Sequence, residues 1–255
     1  MITEHKSSVK SLEKAFDLLD LLETEGMPLG VRAIEIKTGI PKATAQRLLD
    51  VLETRGFVRK HEGKYSLWVG AVHLARSFLS RDGLARTALP VLKVLAQLSD
   101  ETASLYVRQG YYRILIARVE SPNPLRFQTS VGERLPLHIG ASGHILCAGM
   151  PEEELKTFVN SLEPFKLADG TLLTRDLFMD RVKQAKEKGI DIGVGERFED
   201  VTSIACAVDT KDRGVIAAIN IAGPTFRFNG EKLERLKIEI RGAARELSAA
   251  YLQTI

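Results

Sequence analysis

The amino-acid sequence predicts an α+β fold in three parts: a helical N-terminal domain (1–68), a helical linker (69–99) and a C-terminal domain with an antiparallel sheet (100–255). Apolar residues first repeat with the period of a helix, and from residue 101 they alternate or run together as in β-strands. The length of 255 residues agrees, because one domain commonly takes roughly 100–200 residues. Strands of one sheet with helices outside it define the α+β class.

The N-terminal domain begins with two predicted helices. Residues 12–19 carry the apolar spacing of a first helix, and Ser7 or Ser8 is expected to cap it. A second, short helix is predicted over residues 31–38, and it stops at Gly39. Because few residues separate it from the next helix, the two should form a tight helix-turn-helix.

The third predicted helix lies between Pro41 and Gly56. Proline suits the first turn of a helix, and a glycine in the left-handed conformation commonly ends one. The front half of its outward face is polar, short-branched and basic, which is the chemistry of a helix that enters a DNA groove. That face carries Lys42, Ala43, Thr44, Gln46 and Arg47, opposite an apolar stripe of Ala45, Leu48, Leu49 and Leu52.

A basic hairpin is predicted over residues 57–68, because polarity alternates there around a glycine turn at Gly63. Three helices followed by a hairpin form a winged helix-turn-helix, whose reading helix lies in the major groove of DNA. Arg59, Lys60 and Lys64 would then contact phosphates and supply affinity without sequence information. The alternative is a solvated hairpin on a small helical domain.

Composition limits the class of protein but does not identify it. The net charge of +3 is weak evidence for a nucleic-acid partner. No apolar run is long enough to span a bilayer, and the first ten residues lack the apolar core of a signal peptide. Two cysteines, Cys147 and Cys206, cannot form a disulfide framework, so a reducing cytoplasm is expected.

The linker is predicted to be helical, with interruptions at Gly83 and Pro90. Proline is tolerated at the first turn of a helix but not further in, so Pro90 should open a new helix. These helices either cover the second domain or join the two domains and offer an apolar side to another subunit. The expected segments are 71–78, 84–88 and 91–98.

The C-terminal domain is predicted to combine strands with helices. Thr174 is the expected cap of one helix and Gly189 its end. Strands are predicted over 102–109, 113–120, 125–138 with a turn near Gly132, 190–195, 203–210 and 215–223, and helices over 141–149, 151–161, 174–189 and from about Gly230.

Catalytic, metal and cofactor sites are weakly supported. Ser142 lacks the spacing of a nucleophile elbow and is more typical of a helix start. His138, His144 and Cys147 offer zinc three donors without a fourth. The glycines of 193–195 are not a dinucleotide fingerprint. No cofactor is therefore expected, and the rival to a DNA-binding regulator is an enzyme or ligand-binding domain whose winged helix serves protein contacts.

Motifs along essentially the whole chain resemble the IclR-type (isocitrate lyase regulator) bacterial transcription regulators. They are LEKAFDLLDLLE, TGIPKATAQRLLDVLETRGFV, GKYSLWVGAVHLA, LRFQTSVGERLPLH with ASGHILCA, and AAINIAGPTFRF. The resemblance implies a winged helix, a helical linker and a GAF-like effector-binding domain. It also implies homodimers, often paired into tetramers, that bind partly palindromic promoter sites and commonly control catabolic operons.

The resemblance further implies a pocket for a small carboxylate effector. Its anion-binding loop corresponds to Ala141 and Ser142, the family's pocket aspartate to Gly193, its pocket cysteine to Ser203, and two pocket serines to Asn220 and Ala222. Glycine in place of an acid should leave room and remove negative charge. We therefore expect an acid larger and less polar than glyoxylate, such as an aromatic or sugar-derived acid, with its body toward Gly193.

Overall fold

The computed structural model describes residues 9–81, 83–126 and 129–254. Its internal contacts divide the chain into two units, Met1–Arg81 and Asp82–Ile255. The predicted linker therefore contributes one helix to each unit. The expected caps Ser7 and Ser8 lie outside the described residues.

The first unit contains the predicted three helices and hairpin, followed by a fourth helix. Its three-stranded sheet has the order β1-β3-β2, in which the hairpin pairs with a two-residue strand that sequence periodicity is too short to predict. The elements are α1 (Lys10–Glu25), β1 (Leu29–Gly30), α2 (Val31–Thr38), α3 (Lys42–Thr54), β2 (Val58–His61), β3 (Lys64–Leu67) and α4 (Gly70–Arg81).

Backbone conformation explains where these elements stop. Gly39 ends α2 at φ 69°, and Gly56 follows α3 at φ 75°, both in the left-handed region that glycine adopts without strain. The hairpin turns through Glu62 and Gly63, whose φ values of 48° and 76° match a type I′ turn. Pro41 stands directly before α3 as its N-cap rather than inside its first turn.

The second unit carries a six-stranded antiparallel sheet in the order β6-β5-β4-β11-β10-β9. Its elements are α5 (Gly83–Ser99), β4 (Thr102–Gln109), β5 (Tyr112–Val119), β6 (Arg134–Pro136), α6 (Ala141–Ala148), α7 (Glu152–Ser161), β7 (Phe165–Lys166), β8 (Leu172–Leu173), α8 (Arg175–Lys188), β9 (Ile190–Val194), β10 (Val201–Thr210), β11 (Gly214–Pro224) and α9 (Gly230–Leu252).

Helices cover both faces of this sheet, which confirms the α+β class. Along β11, Ile219 and Ile221 point into a core shared with α5 and α9, whereas Ala218 points into a core shared with α6 and α8. This alternation is the period of two that a strand imposes on its side chains. It directs Asn220 to the α6 side of the sheet.

Two sequence expectations are wrong in this unit. Pro90 does not open a new helix, because it lies inside the continuous helix α5. An internal proline costs about 3 kcal/mol, and the unbroken buried stripe of α5 offsets that cost by packing on α9 and the sheet. That stripe consists of Leu84, Ala85, Ala88, Val91, Leu92, Leu95, Ala96 and Ser99.

The second wrong expectation is a strand over 125–138. Among the described residues of that range only Arg134–Pro136 is strand, although the turn expected near Gly132 is present. The residues before it form a loop held by single hydrogen bonds rather than a ladder. The Leu125 carbonyl accepts from Arg227 Nη2 at 2.7 Å, and Asn123 Nδ2 donates to the Asp100 carbonyl at 2.8 Å. Phe127 and Gln128, within the same expectation, lie outside the described residues.

None of the helices in the described ranges is long and apolar enough to cross a membrane.

Candidate DNA-reading face and effector cavity

The outward face of α3 presents the predicted reading residues. Lys42, Ala43 and Arg47 are exposed, while Thr44 and Gln46 are half-buried. The opposite stripe is anchored by Ala45 and Leu49, which are fully buried in the core of the first unit. The Lys42 backbone amide, which a helix start leaves without an intrahelical partner, donates to Glu35 Oε1 at 2.7 Å.

Gln46 is held by its own domain. Its Nε2 donates to the Tyr65 hydroxyl at 2.7 Å and to Asp50 Oδ1 at 2.6 Å, so both amide hydrogens are engaged. Tyr65 is fully buried on β3, which ties the reading helix to the hairpin. Gln46 therefore fixes the position of the helix, and Arg47 is the exposed, extended donor beside it.

The hairpin displays the three predicted basic side chains. The Arg59 guanidinium lies 4.2 Å from the Trp68 ring centroid, and Lys60 Nζ lies 5.5 Å from the ring of Tyr65, its cross-strand neighbour. Such cation–π contacts hold a charge in place without neutralising it. In the part of the chain that the structure describes, no ion pair involves Lys42, Arg47, Arg59, Lys60 or Lys64.

In the second unit, a cavity of about 40 Å³ lies between the start of α6 and the inner strands. Five of the six predicted effector residues line it: Ser142, Gly193, Ser203, Asn220 and Ala222. Cross-strand register explains the convergence, because Ser203 of β10 pairs with Gly193 on one side and with Ala222 on the other. The sixth, Ala141, is fully buried, and its amide lies 3.2 Å from the place of a Cβ on Gly193.

Three polar side chains on this cavity have no partner among the described residues. The side chains of Ser142, Ser203 and Asn220 make no hydrogen bond with them, although Asn220 is only 4% exposed. Buried polar groups are normally hydrogen-bonded, because leaving an amide or hydroxyl unsatisfied is costly. These three side chains are therefore placed to bind a ligand or ordered water.

Arg113 is a cavity residue that sequence reasoning missed. It is 5% exposed on β5, and its Nη1 donates at 2.5 Å to the carbonyls of Pro136 and Ile139. Burial lowers the pKa of its guanidinium. Within the described ranges no carboxylate forms an ion pair with it, and its Nε has no hydrogen-bond partner. Two arginines, Arg113 and Arg118, in the otherwise apolar strand 112–119 were the available signal.

Glu196 is the second missed residue, and it corrects an expectation. Its Oε2 accepts from the Gly140 amide at 2.5 Å, and its Oε1 pairs with Arg181, while the side chain is 3% exposed. A Cβ on Gly193 would lie 2.9 Å from Glu196 Oε1. The space expected to be free of negative charge beside Gly193 therefore holds a carboxylate. Gly195, at φ 64°, turns the chain so that Glu196 points back to the strand.

The candidate metal donors make other contacts in the fold. His144 is fully buried, with Nδ1 2.7 Å from Asp191 Oδ2, whereas His138 packs edge-on against Phe165. Cys147 is enclosed in the apolar core, and its burial raises the pKa of its thiol. Over the described ranges, no group of three or more His, Cys, Asp or Glu side chains could hold a metal ion.

A larger and more open space adjoins the small cavity. Its volume is about 760 Å³, and Phe198 and Val201 line both spaces. Its walls are mostly apolar and include the exposed side chains of Leu125 and Phe226, with Arg126 and Asp200 also lining it. We call it the vestibule.

Models of known protein families match both parts of the chain. The model of the IclR helix-turn-helix domain matches residues 11–62, and that of the bacterial transcriptional regulator IclR C-terminal domain matches residues 76–249. The transcriptional repressor AllR of Escherichia coli is 29% identical over 252 residues, which cover 96% of this chain and 91% of AllR.

Solved structures share the fold. An IclR family regulator from Brucella abortus superposes with a TM-score of 0.82 at 26% identity, covering 97% of this chain and 94% of that one. An IclR homologue from Microbacterium hydrocarbonoxydans, solved with 4-hydroxybenzoate, has a TM-score of 0.79 at 21% identity, with coverage of 96% and 100%. The relatives are regulators rather than enzymes. This chain belongs to the IclR family of bacterial transcriptional regulators.

Proposed function

We propose that this regulator changes its affinity for a partly palindromic operator when a small organic acid binds beside α6, and that it controls a catabolic operon. The observation that supports an acid as the ligand is that Arg113 and three polar side chains without partners among the described residues line the same cavity. A buried guanidinium that forms no ion pair with a described carboxylate favours an anionic ligand, because burying a charge is costly unless it is paired. Ser142, Ser203 and Asn220 would supply hydrogen bonds to the acid.

The body of the effector would lie in the vestibule. A body directed toward Gly193, as the sequence suggested, is less favourable, because the Glu196 carboxylate fills that side. Phe198 and Phe226 offer apolar and aromatic surface to a ring at the opening of the polar cavity. An aromatic carboxylate therefore fits best, and the 4-hydroxybenzoate bound to the Microbacterium homologue is an example of this class.

At the operator, Arg47 would read base edges in the major groove while Arg59, Lys60 and Lys64 contact phosphates. Two such domains, one per half-site, imply at least a homodimer, and a dimer of dimers is compatible with this arrangement. Light scattering should report a dimer or tetramer at micromolar concentration. A monomer both free and DNA-bound would contradict the assembly.

A thermal-shift screen of organic acids, followed by gel shifts with operator DNA, tests whether the effector is an acid. Binding should change operator affinity by about 1–3 kcal/mol, which is 5- to 150-fold. Asn220→Ala should then weaken the acid at least tenfold, because a hydrogen bond to a charged group contributes about 1.5–3 kcal/mol. Asn160→Ala, an exposed position on α7, is the matched control and should change nothing. A neutral or cationic effector would contradict the proposal.

A further inference from the structure

We infer that the Glu196 carboxylate is an internal competitor for the acid group of the effector, so that an acid must displace it to reach the Gly140 amide. This inference rests on the proposed function and adds a residue that sets its affinity and selectivity. Glu196 lies among the donors that an incoming acid would use. The protein thus holds its own anion at the site in the ligand-free state.

The contacts of Glu196 are those of a bound anion. Its Oε2 accepts from the amide of Gly140, the residue before the first turn of α6, where backbone N–H groups and the helix dipole favour negative charge. Its Oε1 pairs with the Arg181 guanidinium. The buried Arg113 lies on the same side, with Nη2 3.2 Å from the place of a Cβ on Gly140.

The position of the acid group is already occupied. The cavity has a volume of about 40 Å³, which is small beside the adjoining vestibule of about 760 Å³. A carboxylate that reached the Gly140 amide would take the position that Glu196 Oε2 holds. If the side chain leaves, the Gly140 amide and the space beside Gly193 become available together.

Displacement needs only a side-chain rotation. The backbone around Glu196 is anchored, since its carbonyl accepts from the Ala168 amide at 3.0 Å and the Gly195 carbonyl accepts from the Asp169 amide at 2.8 Å. Arg181, with 31% of its side chain exposed, can follow the carboxylate toward solvent and keep the ion pair. The loop therefore stays in place while the carboxylate moves.

A second polar atom points to the same position. His144 Nε2 is buried, forms no hydrogen bond within the parts of the chain that are described, and lies 3.9 Å from Glu196 Oε2. Asp191 holds the other ring nitrogen at 2.7 Å, so the imidazole is fixed in orientation. Nε2 is thus set to contact whichever carboxylate occupies the site.

The test measures the affinity of the full-length protein for benzoate and for its neutral isostere benzamide by calorimetry. Removing the internal anion in Glu196→Ala should tighten benzoate binding at least tenfold, and Glu196→Gln should tighten it less, because its amide oxygen still accepts from Gly140. Glu199→Gln, an exposed carboxylate of the same loop, is the control and should match the wild type. Benzamide affinity should not rise in any variant.

Three results would overturn the inference: unchanged or weaker benzoate binding in both Glu196 variants, an equal gain for benzamide, or no benzoate binding by any variant. An equal gain for benzamide would mean that only space was created. The Gln variant keeps the side-chain shape, so it decides the matter if the Ala variant unfolds. The proposed function fails separately, if no organic acid alters the operator affinity of the wild-type protein.

Discussion

The two candidate sites handle charge in opposite ways. On the first unit, five basic side chains of α3 and the hairpin are exposed and form no ion pair among the described residues. In the second unit, Arg113 and Glu196 are buried and oriented by backbone groups. A long polyanion such as DNA is bound by exposed cationic side chains, which displace the counterions around its phosphates. A small ligand is instead selected by desolvated groups in fixed positions.

The sites also differ in how they are assembled. The DNA-reading face comes from one continuous stretch, residues 42–64, so that a single helix and its hairpin create it. The effector cavity draws on residues from Tyr106 to Ala222, carried by strands that pair only in the folded sheet. The first can be recognised as a local pattern, and the second depends on register.

The largest expected effect is that of Gly193→Asp on the crowded cavity. The Cβ would lie 2.9 Å from Glu196 Oε1, and the new carboxylate would be buried beside another. We expect a loss of about 3 kcal/mol in the free energy of unfolding, the upper range for overpacking, together with loss of acid binding. Urea denaturation measures the first. Gly193→Ala, which adds no charge, should cost clearly less; equal costs would mean that charge is irrelevant there.

On the open face, Arg47→Ala should weaken specific operator binding by about 1–3 kcal/mol and relax the base preference at one position per half-site. The reason is the loss of a bidentate donor to a base edge. Gel shifts with single-base operator variants measure both effects. Arg55→Ala, an equally exposed arginine directly after α3, should leave the preference intact. Unchanged specificity in Arg47→Ala would assign base reading to another residue.

Tyr65→Phe tests whether Gln46 positions α3 or also contacts DNA bases. Loss of the hydroxyl that accepts from Gln46 Nε2 should destabilise the first unit by about 1 kcal/mol, the usual net contribution of a hydrogen bond. Hydrogen exchange of the α3 amides measures this local stability. Tyr112→Phe, on a half-exposed tyrosine of the second unit, is the control. An altered base preference in Tyr65→Phe would show that Gln46 also contacts bases.

The smallest effect is expected from Lys64→Ala on the hairpin. Affinity should fall by a similar factor for all DNA sequences, and the slope of log affinity against log salt should flatten by about one unit, since one phosphate contact is lost. Lys37→Ala is the control, because Lys37 already pairs with Glu25 at 2.9 Å. A sequence-dependent loss in Lys64→Ala would contradict a phosphate contact.

The sequence by itself determined the elements whose signals are local. The helix-turn-helix, the hairpin around Gly63, and the helix ends at Gly39 and Gly189 were all predicted, because periodicity and turn chemistry act over a few residues. Family resemblance also indicated which residues would meet at the cavity. It could not place side chains that point across the sheet.

Tertiary structure decided the rest. Pro90 stays within α5 because packing of the buried stripe outweighs the cost of an internal proline, and the sequence alone shows only that cost. Arg113 and Glu196 belong to the cavity because sheet register and the turn at Gly195 bring residues 83 positions apart to the same end of α6. The family resemblance suggested an emptied pocket at Gly193, and only packing revealed the carboxylate beside it, since burial and charge compensation are set by neighbours distant in sequence.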